Sequence, residues 1–103
     1  MTRYRIAAAV RDDLRQIWRY LLDQAGLSIA DQIRSEIIDA FKGLAEVPGK
    51  GHKRSDLTSR NVLFFTLHQY MIVYKRESSI EIIAVLHGNR DVKRLLKDRL
   101  KTT

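Results

Sequence analysis

The chain has 103 residues, no cysteine and a formal net charge of +7, with 45% hydrophobic and 30% charged residues. That composition suits one globular domain over residues 1–103, burying about two-thirds of the surface its unfolded form exposes, and excludes both a disordered chain and a disulfide or Cys-ligated metal framework. No run approaches the ~20 apolar residues of a bilayer span, and the opening MTRYRIAAAVRDDLR lacks the apolar core of a signal peptide, so a cytoplasmic protein with no membrane attachment is expected.

The predicted elements begin with a short strand over Arg3 to Ala9, where Tyr4, Ile6 and Ala8 share one parity. The period then changes. Val10, Leu14, Ile17, Trp18, Leu21, Leu22 and Ala25 form the stripe of an amphipathic helix, with Asp12 and Asp13 in its first turn, where the helix dipole favours negative charge. Gly26 is placed to stop that helix in the left-handed conformation. Ser28 is the expected cap of a second helix, whose stripe is Ile29, Ile33, Ile37, Ala40, Phe41 and Leu44 and whose end is marked by Pro48 and Gly49. Joined so tightly, the two helices must fold back as an antiparallel hairpin, because neither stripe can stay wet.

Pro48 to Arg60 reads as a loop rich in glycine and cations. Three strand-like runs follow, Asn61 to Leu67, Tyr70 to Lys75 and Ile80 to His87. The short turns between them predict an antiparallel meander. Alternation along the last strand puts Ile80, Ile82, Ala84 and Leu86 on one face, and Glu81, Ile83, Val85 and His87 on the other. Asp91 is placed to cap a short final helix carrying Val92, Leu95, Leu96 and Leu100. The fold class expected is α+β: a short N-terminal strand, a helical hairpin packed on one face of a curled antiparallel sheet, and a short C-terminal helix.

Charge directs attention to polyanions: nucleic acid, an acidic protein surface or anionic lipid. The loop cations Lys50, His52, Lys53 and Arg54 lack interleaved aromatic residues, so base stacking there is not supported. The three histidines have no HExxH-like spacing, so no metal and no cofactor is expected. His87, closing the last strand, is the leading candidate for proton transfer.

Several segments carry a family resemblance. They are DLRQIWRYL (Asp13 to Leu21), the second helix with Phe41, Leu44 and Ala45 running into Pro48-Gly49, the Arg54-Ser55-Asp56-Leu57 segment, the Tyr70/Tyr74 strand, and VLHGNRD (Val85 to Asp91). As an ordered set covering nearly the whole chain, they resemble the RelE/ParE superfamily of bacterial toxin–antitoxin toxins, and the Leu-His-Gly strand end followed by Arg-Asp and a short helix leans to the ParE side.

The resemblance implies a cytoplasmic toxin that inhibits DNA gyrase by binding rather than as an enzyme. It also implies a ParD-like antitoxin that wraps the toxin in a hetero-oligomeric complex and is acidic where it meets this basic chain. Direct contact with nucleic acid stays open at this point. The target surface expected from the resemblance is His87, Arg90, Leu95, Leu96, Arg99 and Leu100. Two alternatives remain. One is a RelE-like, ribosome-dependent, metal-independent mRNA endonuclease. It would use His87 with the cations Arg60, Lys75 and Arg90 and the carboxylate of Glu46, although the adjacent His-Tyr pair of some RNase relatives is missing. The other is a non-toxic binding module.

Overall fold

The computed structural model describes residues 3–88 and 91–101. Strand β1 (Tyr4–Ile6) leads into helix α1 (Ala8–Ala25) and helix α2 (Leu27–Glu46). A 3-10 turn (Pro48–Lys50) and a loop precede strands β2 (Leu63–Leu67), β3 (Tyr70–Arg76) and β4 (Ile80–His87), and helix α3 (Val92–Lys101) ends the described chain. The element order is the expected one.

The hairpin forms because the two apolar stripes meet each other and the sheet. Val10, Ile37, Phe41 and Leu44 are buried against Tyr70, Ile72, Tyr74, Ile80, Ile82 and Val85. Trp18 reaches across, its ring N–H donating to Asp31 on α2 at 2.8 Å. Gly26 makes the turn at φ 91, ψ 171, a region essentially restricted to glycine rather than the left-handed helical conformation expected. Its N–H closes α1 by donating to the carbonyls of Leu21 and Leu22. Because Gly26 itself precedes α2, Ser28 lies inside the helix and caps nothing, a correction to the sequence reading. Ile29 also leaves the expected stripe and is exposed, whereas Ala30 is buried in its place. The small side chain of Ala30 suits the close approach of the two helices beside the turn.

The sheet order is β1-β4-β3-β2. The meander β2-β3-β4 is antiparallel, as expected, but β1 pairs in parallel with β4 and makes the sheet mixed. Alternation cannot say which edge a three-residue strand joins. The β4 edge offers unpaired backbone, and Ala7 extends the pairing by donating to Ile82 at 2.9 Å. The opposite edge is partly occupied: His52 bridges to Phe64 through two backbone hydrogen bonds of 2.8 Å. β4 is covered on both faces, by the hairpin on one and by α3 on the other, which accounts for its nearly unbroken apolar run.

One irregularity reorganises β4. Val73 pairs with Ala84, but the next residue, Tyr74, pairs with Ile82, so Ile83 is an extra, bulged residue. Up to the bulge, Ile80 and Ile82 face the helical hairpin; after it, Val85 does. Ile83, Ala84 and Leu86 face the opposite side, where Val92, Leu96 and Leu100 of α3 cover the sheet. The strict alternation expected along this strand is therefore wrong beyond Ile82, and His87 falls on the hairpin face with Tyr70.

A bulge strands backbone groups, and here a buried ion pair meets them. Asp13 sits on the sheet-facing side of α1 instead of serving the helix dipole, because α1 begins at Ala8 and Asp13 lies beyond the first turn. Its carboxylate accepts two hydrogen bonds from Arg99 on α3, each 2.8 Å, and one from the Val85 N–H at 3.0 Å. Arg99 also donates to the Ile83 carbonyl at 2.9 Å. The bidentate pair thus closes the bulge and ties α1, β4 and α3 together, and the Asp13 hydrogen bonds raise the guanidinium pKa further above its ordinary value.

Removing one partner leaves a buried charge and a stranded backbone group. Asp13→Ala or Arg99→Ala should each lower unfolding stability by about 3 kcal/mol in urea titration, with the double variant losing clearly less than the sum. Losses under about 1 kcal/mol would show that the pair does not hold the bulge.

Candidate functional site

Three hollows divide the candidate residues. The first, about 290 Å³, opens between α1 and the end of β4 and is lined by Gln16, Ile17, Tyr20, Tyr70, Leu86 and His87, with Asp13 and Val85 at its base. Helical spacing brings Gln16, Ile17 and Tyr20 to this edge of α1, while the bulge turns His87 towards it. The His87 and Tyr70 rings meet edge to face at 5.4 Å. Tyr70 is 2% exposed, and its hydroxyl is buried with no hydrogen-bond partner among the described residues. A buried unsatisfied hydroxyl is costly and marks a place where a ligand or partner group can complete the bonding. Tyr20, 56% exposed, forms an aromatic wall open to solvent.

The second hollow lies at the other end of the sheet. Arg60, Asn61, Val62, Lys75, Arg76 and Glu77 surround it beside Leu100 at the end of α3. Arg60 donates to the Leu100 carbonyl at 3.3 Å, satisfying one of the last carbonyls of the helix. A third hollow holds Glu46 with Arg3, Glu77 and the β3–β4 turn.

The nuclease constellation therefore does not assemble among the described residues. Lys75 pairs with Glu81, and His87 lies six residues further along β4, about 20 Å away at strand rise. Arg60 and Lys75 do share a hollow, but Glu46 lines a different one. Proton transfer and phosphorane stabilisation need groups within hydrogen-bond reach of one phosphate, and no single substrate phosphate can touch these. Arg90 lies outside the described residues.

The expected target surface on α3 also changes. Leu96 and Leu100 are buried against the sheet, Leu95 is half-buried, and Arg99 is engaged with Asp13. These side chains seat the helix. Its exposed face is instead Lys93, Arg94, Lys97, Asp98 and Lys101. Asp91 precedes the helix as expected, its carboxylate accepting from the Arg94 N–H at 3.2 Å.

The basic loop is more ordered than its composition suggests. Tyr74 is fully buried, and its hydroxyl donates to the Pro48 carbonyl at 2.7 Å and accepts from the Gly51 N–H at 2.9 Å. Gly51 is required by this closeness: a Cβ there would lie 2.6 Å from the Tyr74 oxygen. Lys50 sits 5.3 Å from the Phe65 ring centroid, a cation–π contact. Arg54 forms a two-bonded pair with Asp56, which holds the Asp56 carboxyl below its usual range. His52 and Lys53 are exposed. Among the described residues, no group of three or more His, Cys, Asp or Glu is gathered for a metal, and no helix is long and apolar enough to cross a membrane.

A helical hairpin and a terminal helix clasping a four-stranded mixed sheet define an α+β domain of the RelE/ParE type. The chain belongs to the ParE toxin family: the family model described as ParE toxin of type II toxin-antitoxin system, parDE, matches residues 4–92. A solved structure titled as the chromosomal ParDE TA system from P. aeruginosa shares the fold at a TM-score of 0.72 and 19% identity, covering 84% of this chain and 96% of that one. No curated protein matches the chain.

The Tyr74 anchor makes a pH-dependent prediction. Burial pushes its phenol above the ordinary value, against weaker opposing effects of the Gly51 N–H and Arg76. A raised pKa means the folded state keeps a proton that the unfolded chain releases, so stability is full below about pH 10 and falls as pH rises beyond it. Tyr74→Phe should cost about 1–2 kcal/mol at neutral pH and lose less stability than the wild type between neutral pH and about pH 11. Equal alkaline losses in urea titrations of the two proteins would contradict the anchor.

Proposed function

We propose that this ParE toxin acts by binding DNA gyrase and trapping its DNA-cleaved state, and that a ParD-like antitoxin neutralises it by direct contact. The observation that carries the non-nucleolytic reading is the separation of His87 from Arg60 and Lys75 by most of the length of β4. The chain presents surfaces for contact instead of one reaction centre.

The hollow beside Tyr20 suits the antitoxin. It combines an exposed aromatic wall, a buried hydroxyl without a partner among the described residues, and apolar walls from Ile17 and Leu86. A side chain anchored there by an amphipathic segment would bury Tyr20 and complete the Tyr70 hydroxyl's bonding. The exposed Leu27 and Ile29 at the hairpin tip extend the apolar surface on the same pair of helices. An acidic segment would complement the net charge of +7.

The test is a gyrase supercoiling and cleavage assay run beside ribosomal mRNA cleavage, with and without the product of the adjoining small gene. The proposal expects enzyme-linked DNA breaks, intact message, and loss of the effect when that product is added. His87→Ala should leave the gyrase effect in place, because a general acid–base role would instead cost about 10²-fold or more. Codon-specific message cleavage abolished by His87→Ala would overturn the reading in favour of an RNase. Absence of both activities would leave a binding module.

A further inference from the structure

Helix α3 is held so that one face alone looks outward. Val92, Leu96 and Leu100 are buried on the sheet, and Arg99 is turned inward to Asp13 and the Ile83 carbonyl. The outward face carries Lys93, Arg94, Lys97 and Lys101, with Asp98 as its one carboxylate. Lys93, Lys97 and Lys101 recur every four residues, a step of about 6 Å along the helix axis. Asp56 lies close enough to Lys93 to feel its charge but is already held by Arg54.

The face does not stop at the helix end. Arg60 bonds the Leu100 carbonyl and joins α3 to the hollow that holds Lys75 and Arg76, with Glu77 at its edge. The strip carries seven cations against Asp98, Glu77 and Glu81, the last directly opposite Lys75 in register, a local excess of four in a chain whose whole net charge is +7. It contains no aromatic side chain on which an unpaired base could stack.

We infer that the outer face of α3 and the Arg60–Lys75–Arg76 hollow form one surface that follows the phosphate backbone of duplex DNA. Regularly spaced cations on a rigidly seated helix neutralise successive phosphates and release their counterions, which gives affinity without base readout. The absence of stacking side chains favours a duplex over a single strand. This inference goes beyond the gyrase reading and does not depend on it, since the contact is measured with no enzyme present.

The experiment measures binding of the full-length chain to a fluorescent duplex by anisotropy across a sodium chloride series. The expected result is sequence-independent binding whose log affinity falls against log salt with a slope of about −5, as roughly six neutralised phosphates would give. Lys93→Gln, Lys97→Gln and Lys101→Gln together should make that slope less negative by about 3 and weaken low-salt binding at least about tenfold. The control removes the same charge elsewhere: Arg11→Gln, Arg15→Gln and Arg19→Gln on the exposed side of α1 should change the slope by less than about 1. Both sets lie on exposed positions, and unchanged urea unfolding would confirm that each variant is folded. The inference is overturned if the wild type shows no salt-dependent binding, or if the two triple variants lose affinity equally. Stronger competition by single-stranded RNA or by polyglutamate than by duplex at equal charge would also overturn it.

Discussion

The Asp13–Arg99 pair ties α1, β4 and α3 together at the bulge in β4. It joins residues 86 positions apart, near the two ends of the chain, and does so against the backbone of β4. A buried ion pair is by itself weak evidence of stabilisation, because two charges must be taken out of water. This one differs in what surrounds it. The bulge at Ile83 strands a carbonyl and an N–H, and the pair supplies a donor to the first and an acceptor to the second. The charges complete a backbone ladder that would otherwise contain a defect, and the bulge solvates charges that would otherwise be poorly met. Each makes the other tolerable.

Function follows from where the bulge sends the side chains. Without the extra residue, His87 would lie on the α3 side of the sheet. With it, His87 packs edge to face on Tyr70 beside α1, while Arg60, Lys75 and Arg76 gather at the far end. One strand thus separates an aromatic, partly apolar hollow from a cationic strip. Reaction chemistry on a phosphate would need them together, whereas contact with two different partners is served by keeping them apart. The proposed contacts with gyrase and with an antitoxin would use the two ends of that strand separately.

Much of the fold was legible in the sequence, because helix and strand periods respond to burial. The order of elements, the hairpin turn at Gly26, and Asp91 at the start of α3 follow from local pattern. The failures have identifiable causes. Ser28 is a good capping residue, yet Gly26 starts α2 earlier. The parity of β4 breaks at a bulge that no residue type announces. Leu96 and Leu100 belong to the core because the hairpin covers only one face of the sheet and α3 must cover the other. Asp13 did leave a signal: it falls between Val10 and Ile17 at helical spacing, a charge on an apolar stripe. Such a charge calls for a partner, and Arg99, flanked by Leu96 and Leu100, stands in the matching position on α3. The aromatic hollow left less trace, since Gln16, Tyr20, Tyr70 and His87 come together only in three dimensions.

The ion pair welds α1, β4 and α3 into one cooperative unit through the bulge. Native-state hydrogen exchange read at single amides by NMR tests it most directly. The Val85 N–H should exchange only with global unfolding, together with the buried-face amides of α3. In Asp13→Asn, both should move together to faster exchange while the α1–α2 hairpin amides keep their relative order. A Val85 amide that exchanges as fast as an exposed loop, or an α3 that opens on its own while Val85 stays protected, would contradict it.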